Sequence, residues 1–349
     1  MALGNAPNSY GMKLQNLQQP LQKYPIPVDI QEGLLTAVWD TTHSKTDLST
    51  YFEYYSKRVE RLFLDGGHQF PIQDHSDLAL IARRILYKTT RDEIHQEIIQ
   101  RPGITAKPHD VDRIIDLCAS LLAMTEIEHG VNLPNLSGIA PILWKDSSLD
   151  SALAEYFTPQ KVLQADRPKI GKVLTAYNLS RISGITIKWT TNLADHLRLV
   201  DDDQAIFIFH CTGFLQFQLS LTDSLFPVSL LQETLDTIAL LFPSSDKDTV
   251  RWLKTQTKID PQLGRCGSLR TRERRLENFT FWHDRLVILK QAFDESHPKN
   301  ISQWWFDRRN SVQWYTFWVA ILVFIMTIFF GVVQSVEGAL QVYLAYKSQ

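Results

Sequence analysis

Residues 314–333 read WYTFWVAILVFIMTIFFGVV, and no Asp, Glu, Lys, Arg or His falls between Arg309 and Glu337. At about 1.5 Å of rise per residue, such a run covers the ~30 Å hydrocarbon core of a bilayer, and a helix satisfies its own backbone there. A core helix of a soluble protein would show a charged position on its solvent side. This stretch shows none, so it reads as a transmembrane helix. Trp304, Trp305, Trp314, Tyr315 and Trp318 gather at its start, with Arg308 and Arg309 just outside, and Tyr343 and Tyr346 mark the other end. Amphipathic rings favour the headgroup layer, which makes these the interface anchors.

Orientation follows from the flanking cations. Lys299, Arg308 and Arg309 precede the run and only Lys347 follows it, so the larger N-terminal part is expected in the cytosol. Further upstream, Arg251, Lys254, Lys258, Arg265, Arg270, Arg272, Arg274 and Arg275 face only Asp260 and Glu273. Such a stretch is either a solvated surface or, with Arg308 and Arg309, a collar touching an anionic leaflet. Met1 to Pro27 is rich in Asn, Gln and Pro, has no apolar signal region, and reads as disordered. The expectation is a tail-anchored, single-pass protein of the endoplasmic reticulum or another internal membrane.

Four Asn-x-Ser/Thr sequons, at Asn135, Asn178, Asn278 and Asn300, would accept glycans only if their segments were lumenal. Cys118, Cys211 and Cys266 are odd in number and widely spaced, which fits a reducing compartment and gives no zinc pattern. The formal charge is −2 and 44% of residues are hydrophobic, enough for a sizeable core and no indication of nucleic-acid binding.

The remaining pattern is mainly α. Helical spacing appears at Leu48–Phe63, Leu78–Leu86, Val111–Leu122, Leu149–Phe157, Leu230–Leu241 and Arg272–Phe293, and Thr90 with Glu93 makes a capping box for a helix to Ile99. Ile185, Ile187 and Trp189 alternate with polar residues, as do Leu197 and Leu199, which predicts a small β-hairpin. Asp201, Asp202 and Asp203 then read as the cap of a buried helix over Ala205–Phe217. The expected organisation is a segment 1–27, a helical lobe 28–140, a second lobe 141–300 carrying the β element, a juxtamembrane segment 301–313, the span 314–333 and a short tail 334–349.

Candidate chemistry is sparse. Asp65, His68, Asp74, His75 and Asp77 cluster on a loop without the spacing of a zinc site, so no metal or other cofactor is expected. His196 beside Asp195 is the best catalytic candidate, because the carboxylate could fix its tautomer; the competing reading is a structural hydrogen bond. No nucleophile elbow or phosphate-binding glycine loop accompanies it. In the span, Thr327, Gly331, Ser335 and Ala339 recur every four residues. That puts small side chains on one face, open to a second copy or a partner membrane helix, unless Gly331 simply ends the apolar core.

Ile187 to Leu197, Glu233, Thr234, Leu240 to Pro243, Trp282 to Leu286, Trp304 to Arg309 and Gln341 to Tyr343 resemble a group of filamentous-fungal proteins. The likeness runs from Leu174 onward. It implies a helical body with one C-terminal transmembrane helix, and the group supplies no catalytic residues to carry over. The expected function is a membrane-anchored helical adaptor whose partner, besides the lipid bilayer, is a second protein. The alternative is a membrane-tethered auxiliary enzyme or accessory factor in lipid or secondary-metabolite processing.

Overall fold

In the computed structural model, the residues described are 17–21, 25–41, 46–64, 72, 74–101, 107–128, 141–159, 161–164, 168–296 and 311–347. The N-terminal helices are α1 (Val28–Trp39), α2 (Ser49–Leu64), α3 (His75–Leu86), α4 (Arg91–Ile99) and α5 (Pro108–Ala123). Their starts follow local chemistry. Asp74 Oδ1 accepts the N–H groups of Ser76 and Asp77 at the head of α3, the Thr90/Glu93 capping box opens α4, and Pro108 occupies the first turn of α5. From Leu117 to Ala123 every residue of α5 is buried, which makes it the hub on which α2, α3 and α4 pack.

Beyond residue 140 come α6 (Leu149–Tyr156), α7 (Ala176–Arg181), α8 (Thr212–Ser220), α9 (Val228–Leu241), α10 (Lys247–Leu253), α11 (His283–Glu295) and α12 (Ser311–Lys347). Strands β1 (Ile127–Glu128) and β2 (Ile142–Leu143) pair in parallel. Strands β3 (Thr186–Thr190), β4 (Leu199–Val200) and β5 (Ala205–Phe209) form a sheet in the order β3-β5-β4. The mainly α architecture with a minor hairpin and one apolar C-terminal helix is therefore present.

Four local expectations need correction. The hairpin joins β4 to β5, while β3 lies parallel to β5, with Ile187 opposite Ile206 and Trp189 opposite Ile208. The segment 205–209 is strand, not helix. It is buried on both faces, so its continuous apolar run lacks the alternation that would have distinguished the two. Asp201, Asp202 and Asp203 do not cap a helix: all three adopt left-handed backbone, at φ 57°, 51° and 62°, and turn β4 into β5. Asp tolerates that region better than bulkier residues do. Finally, the helix expected from Arg272 begins only at His283, because the N–H groups just before it are taken by a side chain from α9.

One continuous apolar cluster runs through the body, from Leu17 to Phe293. Leu17 and Leu21 belong to it, so this part of the segment expected to be disordered is packed. Across the chain, Tyr51 of α2 stacks on Phe214 of α8 at 5.6 Å, and Trp39 meets Phe217 edge-on at 5.3 Å. Fully burying each such phenylalanine contributes about 1.5–3 kcal/mol.

Candidate functional site

The C-terminal helix is the first functional element. Tyr315–Lys347 of α12 runs for 33 residues with a mean hydropathy of 2.6 in its most apolar window, and that window buries nothing against the body. At about 1.5 Å per residue its length is about 50 Å, more than the hydrocarbon core needs. The helix thus passes through the expected boundary at Val333 and includes most of the tail. Val336, Leu340, Val342 and Leu344 are interspersed with Gln and Glu, and no proline interrupts them. Thr327 and Ser335 hydroxyls donate to the carbonyls of Val323 and Gly331, each at 2.8 Å, so the small-residue face presents no free hydroxyl donor. A Cβ added at Gly331 meets nothing within 4 Å.

His196 sits at the centre of a buried network. Its Nδ1 accepts the Phe209 N–H at 3.2 Å, which places the ring proton on Nε2, 2.7 Å from Thr237 Oγ1. Thr237 Oγ1 donates onward to the Thr234 carbonyl at 2.6 Å, and Thr234 Oγ1 accepts the Trp282 indole N–H at 2.9 Å. The Trp282 and His196 rings meet edge to face at 5.0 Å. Arg285 Nη1 closes the circuit by donating to the carbonyls of Ala194 (2.8 Å) and His196 (2.5 Å). His196, Thr234 and Thr237 are all 0% exposed.

Asp195 does not play the part the sequence suggested. Its Oδ2 accepts from Asn192 Nδ2 at 2.8 Å and its Oδ1 lies 2.8 Å from Arg198 Nε, so the Phe209 N–H, not Asp195, sets the His196 tautomer. Burial, with the positive Arg285 adding to it, pulls His196 down to about 3, and the imidazole stays neutral. A cleft lined by Tyr156, Phe157, Trp282 and Arg285 lies beside this network, and His196 forms no part of its wall. What the arrangement does is tie the β4–β5 sheet to α9 and α11.

Glu233, which the sequence reading passed over as a catalytic or structural residue, anchors the same region. Its Oε2 accepts the N–H and the hydroxyl of Thr280, and its Oε1 accepts the N–H groups of Phe281 and Trp282, all at 2.8 Å. The available signal was its position. Glu233 falls on the apolar face of α9 with Leu230, Thr234 and Thr237, where an unpaired carboxylate would be costly.

The basic stretch does not form a single strip. Arg251 pairs with Asp248 at 3.2 Å, Arg275 with Glu277 at 3.3 Å, and the Arg270 N–H donates to Glu273. Lys254, Arg265 and Arg272 are exposed, Arg274 is half-buried, and Lys258 belongs to a different surface described below. Asn178 and Asn278 both spend their side-chain N–H groups locally, on the Val173 carbonyl and on those of Arg272 and Glu273. Asn135, Asn300, Arg308, Arg309, Asp65 and His68 lie outside the described residues. The remaining candidates of the loop cluster are engaged: Asp74 caps α3, and His75 Nδ1 bonds Tyr55 Oη at 2.9 Å. Among the described residues no group of three or more metal-ligating side chains comes together.

No protein family matches the chain, and neither does any curated protein or solved structure. The functional reading therefore rests on the residues alone.

Proposed function

We propose that the protein is a membrane-anchored helical interaction module: a cytosolic body held at an internal membrane by α12, where it recruits or senses a partner. One observation carries the reading, the 33-residue apolar helix with its most apolar window wholly uncovered by the body. A helix that exposes so much apolar surface needs lipid or another helix around it. The cytosolic side is supported by Lys299, Arg308 and Arg309 before the span against Lys347 after it, and by three free cysteines. The exposed cations Lys254, Arg265 and Arg272 are available to an anionic leaflet. The face holding Thr327, Gly331, Ser335 and Ala339 admits close approach of a second helix. The auxiliary-enzyme reading draws no support from His196, whose two nitrogens are both committed.

Protease protection in microsomes, with glycan mapping, tests the proposal. Digestion of the body, retention of the anchor fragment through alkaline extraction, and no glycan on the exposed Asn278 are the expected results. Protection of the body with a glycan at Asn278 reverses the orientation, and release of the intact chain at alkaline pH removes the anchor.

A further inference from the structure

A second polar region lies far from His196. Between α2, Thr191 and Lys258 the body encloses a cleft of about 230 Å³. Four cations reach it, Lys57, Arg58, Arg61 and Lys258, with two carboxylates, Glu53 and Glu126. Both carboxylates are already engaged: Arg58 Nη1 donates to the two oxygens of Glu126 at 2.7 Å each, and Lys57 Nζ to Glu53 at 2.5 Å. Arg61 and Lys258 have no ion-pair partner among the described residues, so the described lining, four cations against two carboxylates, has an excess of two positive charges.

The floor of the cleft adds a histidine to this wall. His210 is only 5% exposed, yet it lines the cleft. Its Nδ1 accepts the Asp260 N–H at 3.3 Å, with Cys211 Sγ 3.9 Å away. The proton therefore sits on Nε2, which finds no acceptor among the described residues. Burial pulls His210 down to about 4, Glu53 opposing and Lys57 adding, so the ring is a neutral donor at pH 7. Although the residue as a whole is buried, its Nε2–H is reached by solvent from the cleft, and an accessible neutral donor beside an excess of cations suits an anion.

We infer that this cleft binds a phosphate group, with Arg61 and Lys258 neutralising its charge and His210 Nε2–H and the Thr191 hydroxyl donating to its oxygens. A phosphomonoester carries about −1.5 to −2 charges at pH 7 and three strong acceptor oxygens, which matches two free cations and two neutral donors. A carboxylate would leave one charge over. A metal cation is disfavoured because both carboxylates are held by Arg58 and Lys57. A polyanion is disfavoured too: past Arg58 and Arg61 the hollow continues along Arg113, where Asp116 and Glu128 add negative charge that would repel a longer anionic chain. The cleft stands whether or not α12 crosses a bilayer.

The phosphate can belong to a soluble metabolite or to a lipid headgroup, and one experiment separates them. The full chain in uncharged detergent is titrated calorimetrically with inorganic phosphate, with glycerol 3-phosphate and with dioctanoyl phosphatidic acid. The same titrations are run on Arg61→Gln/Lys258→Gln and on the charge-matched control Lys254→Gln. All three side chains are exposed, and an unchanged melting midpoint without ligand verifies that the variants fold. Saturable binding should weaken about tenfold or more in the double variant, as expected for loss of charge-assisted bonds, and persist in Lys254→Gln. Binding of glycerol 3-phosphate on this pattern identifies a soluble ligand, and binding of phosphatidic acid alone identifies a headgroup. If none of the three binds, or the double variant binds like the unaltered chain, the phosphate site is wrong.

Discussion

The carboxylate of Glu233, in the middle of α9, accepts the backbone N–H of Trp282 at 2.8 Å, one residue before α11 begins. With the N–H groups of Thr280 and Phe281 in the same grip, a side chain from one helix does for another what a local cap would otherwise do. Trp282 is thereby fixed against His196 and Thr234, so a single charged residue sets the alignment of α9, α11 and the sheet.

Glu233→Gln should therefore be costly. The amide keeps one acceptor and turns a second donor toward N–H groups that are already donors. A loss of about 3 kcal/mol is expected in chemical denaturation, because charged hydrogen bonds are replaced by buried unpaired donors. A change below about 0.5 kcal/mol would show that the cluster is not what holds α11.

Gly213 is the tightest point in the packing of α8. A Cβ there would lie 2.3 Å from the Asp47 carbonyl oxygen, while the Gly213 N–H donates to Asp260 at 2.8 Å. Gly213→Ala is expected to lower stability by about 2–3 kcal/mol through overpacking against backbone. Gly338→Ala, in open space on α12, should leave the melting of the body unchanged. Equal behaviour of the two would refute the steric argument.

Acid should unfold the body through its buried histidines. Burial holds His75, His196 and His210 near 4, 3 and 4, against an ordinary value of 6.5. Below pH 6.5 the unfolded chain takes up protons that the folded chain refuses, so stability present above that pH is lost as pH falls toward the folded values. The slope approaches about 1.4 kcal/mol per pH unit for each histidine. Urea midpoints measured from pH 7 to pH 5 should drop accordingly, and His196→Asn should remove one histidine's share of the slope. A flat profile over that interval would contradict the assignment of neutral rings.

Gly331→Leu tests the exposed face of α12. The Cβ position is open, so a leucine there disturbs nothing within the chain and obstructs only a second helix. Cross-linking in mild detergent should show less dimer than the unaltered protein. An undiminished dimer would move the contact to another face.

The amphipathic helices α2, α3, α5 and α9 were legible in the sequence because their apolar spacing reports directly which side is buried. The Thr90/Glu93 box and the uncharged run after Arg309 were legible for the same reason: a cap and a stretch apolar enough to span a membrane are properties of neighbouring residues. His196 and Asp195 were found as a pair by adjacency, and adjacency misled. Their side chains diverge, one to Thr237 and the other to Asn192 and Arg198.

The sequence by itself determined that this chain carries a helix long and apolar enough to cross a bilayer and a mainly helical body, since hydropathy and periodicity act within a few turns. Tertiary structure decided the rest. Residues 205–209 became a strand because β3 and β4 pair with them on either side. The start of α11 was set by Glu233, some fifty positions earlier in the chain. The phosphate cleft is assembled from α2, Glu126, Thr191, His210 and Lys258, and no local pattern could have brought them together, because burial and charge pairing act through space between residues that the chain holds far apart.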